Sequence, residues 1–596
     1  MVTTDCNMLI DQVETVCGLL SRRVECSGAE RCLFFKEERQ WRGLTWDEFN
    51  DLLDKMMAYL HQAGCRPGDR IGIMAKTSLL WDLCHYAILK LGGVVVGLDP
   101  HDTAENVVHI IGQAKIRGVF VDSDALEEKM AAHDGALFFI LQGEYCYADG
   151  LRISGQERSA QGDIPLAKVA KDSPATIIFT SGTTGTSKGI VYSHTQVIQA
   201  CRAILSRYHD VASDAHLPCW LPLSNLFQRM LNFAGISVGA KLFYVANPME
   251  IVQQLPEINP DVLIGVPRFY EKVHEGVMQT MNRQPWPVRK LFAVCLYLRR
   301  ANAVQETSSG PGSWKQKLAD LLVLKRVRQR IFGTRLLYVI SGSAPMPLWL
   351  LRWYQSLGVL VLEAYGISEN IIPIACNSLD GYRFGTVGKV LQENTVHVAE
   401  DGEIFVKGPG VFEGYLTGDA QDKLTLDGFL KTGDEGSLDA EGFVTLQGRK
   451  SDFFKTSTGK RVSPMALEAA LLQLDAFEHV LVIGEGRKVP IILATLAQES
   501  GKGLAEVESH VVRAKINALA KEMFPSGLRP AAAVLLPHSF TLAGGELTAN
   551  LKLRRKVISE KYAQLIDDVY QRISAKDLPV EDIYILEDSQ GGIVRL

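Results

Sequence analysis

The stretch that most restricts the fold is RIGIMAKTSLLWDLCHYAILKLGGVVVGLDP, Arg70 to Pro100. An apolar run is followed by a helical pattern from Leu79 to Lys90, a Gly-Gly stop and then Val94-Val95-Val96, which reads strand, helix, strand. Similar alternation predicts strands at Gly118 to Val121, Ala136 to Leu141, Lys241 to Val245 and Asp261 to Ile264. Repeated alternation of this kind implies an α/β fold of mostly parallel sheets with helices on both faces.

At 596 residues the chain exceeds what one hydrophobic core supports, so at least two folding units are expected. From Gly385 short strands dominate (VGKVL, TVHVA, GEIFVKG, GFVTLQG), separated by Gly/Asp turns that suggest a small β-barrel-like subdomain. GRKSDFF, Gly448 to Phe454, interrupts them with charges; a helix from Pro464 to Leu474 and a hairpin in VLVIGEGRKVPIILATL follow. This change of texture places the expected boundary between a large domain, 1–448, and a smaller mobile α+β domain, 449–596, with a hinge near 448–452.

TSGTTGTSKG, Thr180 to Gly189, is rich in small hydroxylic and glycine residues and lies between two buried-strand patterns, Ala175 to Phe179 and Ile190 to Tyr192. Those flanks argue against a flexible linker. Glycines let backbone N–H groups turn toward an anion, the hydroxyls add donors and Lys188 adds a positive charge, a combination suited to a polyphosphate. The order of residues is not that of a Walker A loop, since Ser187 precedes Lys188 and Gly189 follows it.

A formal charge of −5 gives no global reason to expect a nucleic-acid partner. Eleven cysteines without a C-x-x-C pair fit a reducing compartment, and the N-terminus lacks the features of a secretion signal, so a cytoplasmic location is expected. The segment 283–330 carries eleven Lys/Arg against Glu306 and Asp320. It reads as two basic helices joined by a loop: either a solvated face, or a surface for peripheral contact with an anionic membrane.

Five further stretches share chemistry with the Thr180 loop: SGSAP (Ser341 to Pro345) at the end of an apolar strand, EAYGISEN (Glu363 to Asn370) after the strand VLVL, KTGDEG with Asp434 at a tight turn, GRKSD with Arg449, and LTANLKLRRK with Lys552. In this order, from about Leu44 to Tyr562, they resemble the adenylate-forming superfamily of acyl-CoA synthetases, carrier-protein adenylation domains and beetle luciferases. LIGVPRFYEKV, the basic insertion and FKTSTGKRVSP look most similar to long-chain fatty acyl-CoA synthetases.

The resemblance implies ATP-dependent activation of a fatty acid to acyl-AMP, then thioester formation with CoA. Thr180, Ser181, Gly182, Thr183, Thr184, Gly185 and Lys188 would wrap the β- and γ-phosphates, and Thr180 with Glu369 would help hold Mg²⁺. The adenine would lie against Tyr365 near Gly342, Ser343 and Ala344, with Glu363, Ala364, Gly366, Ile367 and Ser368 completing that stretch. Asp434 and Arg449 would contact the ribose, and Lys552 would bridge carboxylate and phosphate oxygens during adenylation. Rotation of the small domain would then withdraw Lys552 and bring Lys455 and Gly459 to the CoA tunnel.

Two positions depart from the family pattern. Asn225, in PLSN, stands where a His is common, and Asn hydrogen-bonds but does not titrate. Ser187 stands where Pro is common. Asn225 keeps open an alternative acceptor, the phosphopantetheine of an acyl carrier protein. A third reading is a nucleotide-binding regulator without turnover.

Overall fold

The structure, a computed structural model, describes residues 6–123, 137–142, 152–153, 168–180, 187–300, 320–418, 423–472, 477–496, 509–523, 529–541, 544–547, 553–574, 582–586 and 593–595. The predicted strand–helix–strand unit forms as Arg70–Met74, Leu79–Lys90 and Val94–Gly97, the two strands running parallel with Arg70 opposite Val94. Ser78 caps the helix by accepting from the Trp81 N–H, and Gly92, at φ 86°, lets the chain turn back afterwards. Leu79 through Leu89 are all buried, which explains why the helix shows almost no polar face in sequence.

This unit sits in a seven-stranded sheet whose order is Arg152–Ile153, Leu137–Gln142, Gly118–Val121, Arg70–Met74, Val94–Gly97, Pro174–Thr180, Lys188–Ser193. The five central strands are parallel and the two outermost pairings are antiparallel. Met74, Val96, Ile110, Ile111, Val119, Val121 and Ile177 pack into one core against it. A second sheet orders Val262–Gly265, Tyr338–Ser341, Val361–Ile367, Asn370–Cys376 and Lys389–Val390, the first three parallel. A third joins His216–Cys219, Lys241–Tyr244, Arg31–Glu37 and Gln40–Thr45.

The short strands after Lys389 include Thr395–Val398, Glu403–Lys407, Leu430–Leu438 and Val444–Arg449, neighbours in that order in a four-stranded sheet. The chain divides into two compact units: Met1–His397 with Phe405–Thr432 and Leu438–Val444, and Val398–Ile404 with Gly433–Ser437 and Thr445–Leu596. In the second, Phe477–Ile483, Ile491–Leu496, Ala532–Leu536, Asp582–Leu586 and Ile593–Arg595 form a five-stranded sheet. Alternation along its strands feeds two cores: Val480, Val482, Ile492 and Ala494 on one face, Leu481, Ile491, Leu493 and Val534 on the other.

The basic segment forms helix Trp286–Arg300, a π-helical turn Asp320–Leu324 and helix Lys325–Phe332, while the expected loop around Ser308 to Trp314 falls within 301–319, outside the described residues. No helix among the described residues is long and apolar enough to cross a membrane. The cysteines from Cys17 to Cys84 and from Cys201 to Cys376, nine in all, are free.

Candidate active site

Strands Pro174–Thr180 and Lys188–Ser193 pair antiparallel with Thr180 directly opposite Lys188, so the hydroxylic segment closes a hairpin between two sheet strands. Ser181, Gly182, Thr183, Thr184 and Gly185 lie outside the described residues. At the foot of the loop the Lys188 ammonium stands 5.0 Å from the centroid of the Tyr415 ring. The Tyr415 hydroxyl donates to Glu369 Oε1 at 2.8 Å, and the Leu416 N–H donates to the Gly189 carbonyl at 2.8 Å. Lys188, paired with Thr180 in the ladder, and Glu369, far off in sequence, are thus linked through Tyr415.

Glu369 occupies the turn between Val361–Ile367 and Asn370–Cys376, steadied where Tyr192 OH donates to the Ser368 carbonyl at 2.6 Å and the Phe412 N–H to the Glu369 carbonyl at 2.9 Å. Burial, with the neighbouring Glu369 charge, pushes the Tyr415 and Tyr192 phenols above their ordinary range, so both remain donors. An ionised carboxylate offers about four lone-pair directions and Tyr415 takes one. Glu369 thus keeps acceptor positions of the kind used by Mg²⁺, which takes few protein oxygens and completes its shell with water and phosphate. Among the described residues no cluster of three or more His, Cys, Asp or Glu suggests a different metal.

SGSAP leaves the carboxyl end of strand Tyr338–Ser341, where ligands bind in open α/β sheets. Gly342 donates its N–H to the Gly265 carbonyl at 3.1 Å, and a Cβ on it would lie 2.8 Å from the Phe227 ring. Glycine here lets the ring come that close. Ser343 follows at φ 72°, left-handed for a residue with a side chain, and Ala344 continues the turn. Glu363, Ala364, Tyr365, Gly366 and Ile367 belong to strand Val361–Ile367 itself, with Ser368 just beyond. The sequence suggested a strand ending before this stretch; instead a register shift between Tyr365 and Ile367 lets the strand continue through Gly366 into a tight hairpin. Glu363 is almost wholly buried, its Oε1 accepting from the Met346 N–H at 2.9 Å, and burial pushes its carboxyl up to about 7.

Asn225 is the N-cap residue of helix Leu226–Val238, and the turn before it is clamped on two sides. Gly97 lies so close that a Cβ there would meet the Ser224 carbonyl at 2.6 Å. On the other side Arg229, buried, donates to the carbonyls of Ser224 at 3.3 Å and Asn225 at 3.4 Å, and to Thr176 Oγ1 at 2.8 Å. Burial lowers the Arg229 guanidinium to about 10, opposed by the buried carboxylate of Asp82.

In the second unit Asp434 and Arg449 come together, Arg449 Nε standing 3.1 Å from Asp434 Oδ1. Asp434 is not at a chain reversal as TGD suggested. It is buried within strand Leu430–Leu438, and Gly433, at φ 75°, kinks the strand rather than ending it. The Gly433 N–H donates to Glu403 Oε1 at 3.0 Å and its carbonyl accepts from the Lys450 N–H at 2.8 Å. Lys455, exposed, and Gly459, at φ 78°, belong to the small hairpin Phe454–Lys455/Arg461–Val462. Lys552 lies outside the described residues, but just beyond it Leu553 pairs with Leu547, and Arg555 forms an ion pair with buried Glu468, whose Oε1 accepts from the Val482 N–H at 2.6 Å.

Tyr415 and Arg229 are the site residues that sequence reasoning missed. The only local signals were an aromatic residue after a glycine in VFEGY and a single charge on an apolar helix.

Residues 20–416 match the family described as AMP-binding enzyme, and 451–574 match the AMP-binding enzyme C-terminal domain. A long-chain-fatty-acid–CoA ligase of Mycobacterium bovis is 27% identical over 561 residues, covering 89% of this chain and 93% of that protein. A long-chain-fatty-acid–CoA ligase of Homo sapiens is 25% identical over 604 residues, covering 91% and 90%. An anthranilate CoA ligase solved with anthranoyl-AMP superposes with a TM-score of 0.71 at 17% identity, over 93% of this chain and 98% of that one. ATP-bound MatB from Rhodopseudomonas palustris gives 0.68 at 20%, over 93% and 100%. With a family match spanning about two thirds of its length, the chain belongs to the AMP-binding enzymes.

Proposed function

We propose that this protein is an acid–thiol ligase that activates a long-chain fatty acid with ATP and passes the acyl group to CoA. The single observation that carries the reading is the Lys188–Tyr415–Glu369 linkage at the foot of the Thr180 hairpin. It gathers a cation, a hydroxyl and a carboxylate where a polyphosphate tail and its counter-ion need them. The long-chain preference is supported by the names of the Mycobacterium and human relatives.

In the first half-reaction a carboxylate oxygen attacks the α-phosphorus, the bond from that phosphorus to the bridging oxygen breaks, and pyrophosphate leaves. Residues 180–188 hold the departing phosphates, and Lys552 neutralises the oxygens exchanging partners. Mg²⁺ on Thr180 and Glu369 supplies Lewis-acid charge neutralisation when bound. In the second half-reaction the CoA thiol gives up its proton to water, its sulfur attacks the acyl carbonyl, and the bond from that carbon to the phosphate oxygen breaks to release AMP. Glu363 to Ser368 and Gly342 to Ala344 are assigned to the adenine, Asp434 and Arg449 to the ribose, and Lys455, Gly459 and Asn225 to the thiol step. With these roles go our domain assignments: 1–448 for ATP and the acid, and 449–596, hinged near 448–452, for the lysine.

Asn225 favours a second reading in which the acceptor is a carrier-protein phosphopantetheine, because a neutral amide cannot titrate where the family commonly has a His. The deciding experiment measures carboxylate-dependent exchange of labelled pyrophosphate into ATP across acids from acetate to stearate, followed by addition of CoA. Exchange greatest with long-chain acids and release of acyl-CoA are expected. Exchange without CoA thioester would move the assignment to the carrier protein, and no exchange with any acid would leave a nucleotide-binding regulator.

A further inference from the structure

Helix Trp286–Arg300 uses only part of its circumference to join the protein. Phe292 and Cys295 are each 3% exposed, and Arg299 Nη1 reaches Asp320 Oδ1 at 3.1 Å. Away from that contact Trp286 is 65% exposed, Leu291 45%, Val294 44% and Tyr297 70%. With 3.6 residues per turn these four side chains share one arc of about 140°. Scattered exposed apolar residues need no explanation, but a stripe of two aromatic and two aliphatic side chains along about three turns does.

The same arc carries Lys290, whose ammonium lies 4.8 Å from the Trp286 ring centroid, and exposed Arg283 and Arg289 flank it. No acidic residue occurs between Arg283 and Arg300. The neighbouring helix Lys325–Phe332 adds exposed Lys325, Arg326 and Arg330, whereas its Arg328 is taken up by Asp320. Asp320 therefore consumes Arg299 and Arg328 internally, while Arg283, Arg289, Lys290, Lys325, Arg326 and Arg330 face solvent.

The charge decides which occupant fits. A second copy packed through a two-fold axis would bring Arg283, Arg289 and Lys290 against their own counterparts with no carboxylate on the segment to answer them. An anionic lipid surface satisfies both parts. Tryptophan and tyrosine place an apolar body below a polar tip at the headgroup boundary, aliphatic residues sink beside them, and lysine and arginine reach lipid phosphates. We infer that helix Trp286–Arg300 is an interfacial anchor that docks the protein on an anionic membrane surface. The inference stands apart from the ligase assignment, because neither the helix nor its charges belong to the nucleotide site.

The test is sedimentation of the full chain with vesicles of phosphatidylcholine alone and of phosphatidylcholine mixed with phosphatidylglycerol, at low and raised ionic strength. Binding to the anionic vesicles, weakened by salt, is expected. Two double variants separate the contributions: Trp286→Ser with Tyr297→Ser removes the aromatic pair, and Arg289→Glu with Lys290→Glu reverses the charge. Each should lower vesicle affinity by roughly tenfold or more while the melting temperature stays at the wild-type value, since all four side chains are exposed. Equal sedimentation of wild type and both variants overturns the inference, as does failure of the wild type to sediment with anionic vesicles. A lipid-free dimer that the aromatic variant converts to monomer would assign the stripe to a second copy instead.

Discussion

Tyr415 illustrates how one hydroxyl can set a site it was not expected to join. Its phenol holds Glu369 while its ring faces Lys188, so Tyr415→Phe removes the first contact and keeps the second. Hydrogen bonds to charged groups contribute about 1.5–3 kcal/mol to stability, so the variant should melt a few degrees lower, and with Glu369 no longer held in place pyrophosphate exchange should fall by roughly tenfold or more. Glu363 gives a prediction with a definite sign. In the folded chain its carboxyl keeps the proton up to about 7, whereas an unfolded glutamate loses it near its ordinary value of 4.5. The stability it contributes is therefore complete below about 4.5 and disappears as pH rises through 7, a change of about 3 kcal/mol at 1.36 kcal/mol per pKa unit. His194 acts oppositely: burial lowers it to about 4 while its Nδ1 accepts from the Val16 N–H, so its contribution is present above 6.5 and lost as pH falls through 4. The two windows overlap, and wild-type stability alone would hide both. Denaturant titrations of wild type and Glu363→Gln between pH 4.5 and 8 should show the variant gaining on the wild type as pH rises, and parallel curves would remove the assigned shift.

Among the secondary elements, those whose residues must be buried on both faces were the most legible. Gly118–Val121 and Leu79–Lys90 match their expected limits, because a parallel sheet demands continuous apolar strands and a covered helix. Asp434 and the Glu363–Ser368 stretch were harder. A glycine beside a polar residue marks both a chain reversal and a strand kink, and the difference is made by partners distant in sequence: Glu403 and Lys450 for Gly433, the paired strand Asn370–Cys376 for Gly366. Tyr415 was illegible for the same reason, since its contacts arise only once the chain after Val411 runs beside Asn370 and Ile190. In the second unit, helix Arg555–Lys561 follows the Lys552 stretch and is tied by Arg555 to Glu468. Breaking a buried ion pair by removing one partner costs about 3–5 kcal/mol, so Arg555→Ala should lower the stability of this unit by that order and slow exchange along with it. Unaltered exchange in a destabilised variant would separate the anchor from the lysine.

For the whole molecule, a ligand bound only by the folded chain stabilises it by mass action, about 2.7 kcal/mol at a hundredfold excess over its Kd. ATP with Mg²⁺ should raise the melting temperature of the wild type, and Asp434→Ala should diminish the rise. An unshifted wild-type transition would count against the nucleotide assignment. Seven of the nine free cysteines from Cys17 to Cys376 are buried, and burial pushes the thiols of Cys201, Cys219 and Cys376 upward, Cys376 to about 12. At neutral pH such sulfurs are poor nucleophiles and out of reach. Alkylation by a reagent such as iodoacetamide must then wait for the chain to open around them, and the order in which tryptic peptides acquire the label would record which parts of the protein breathe first.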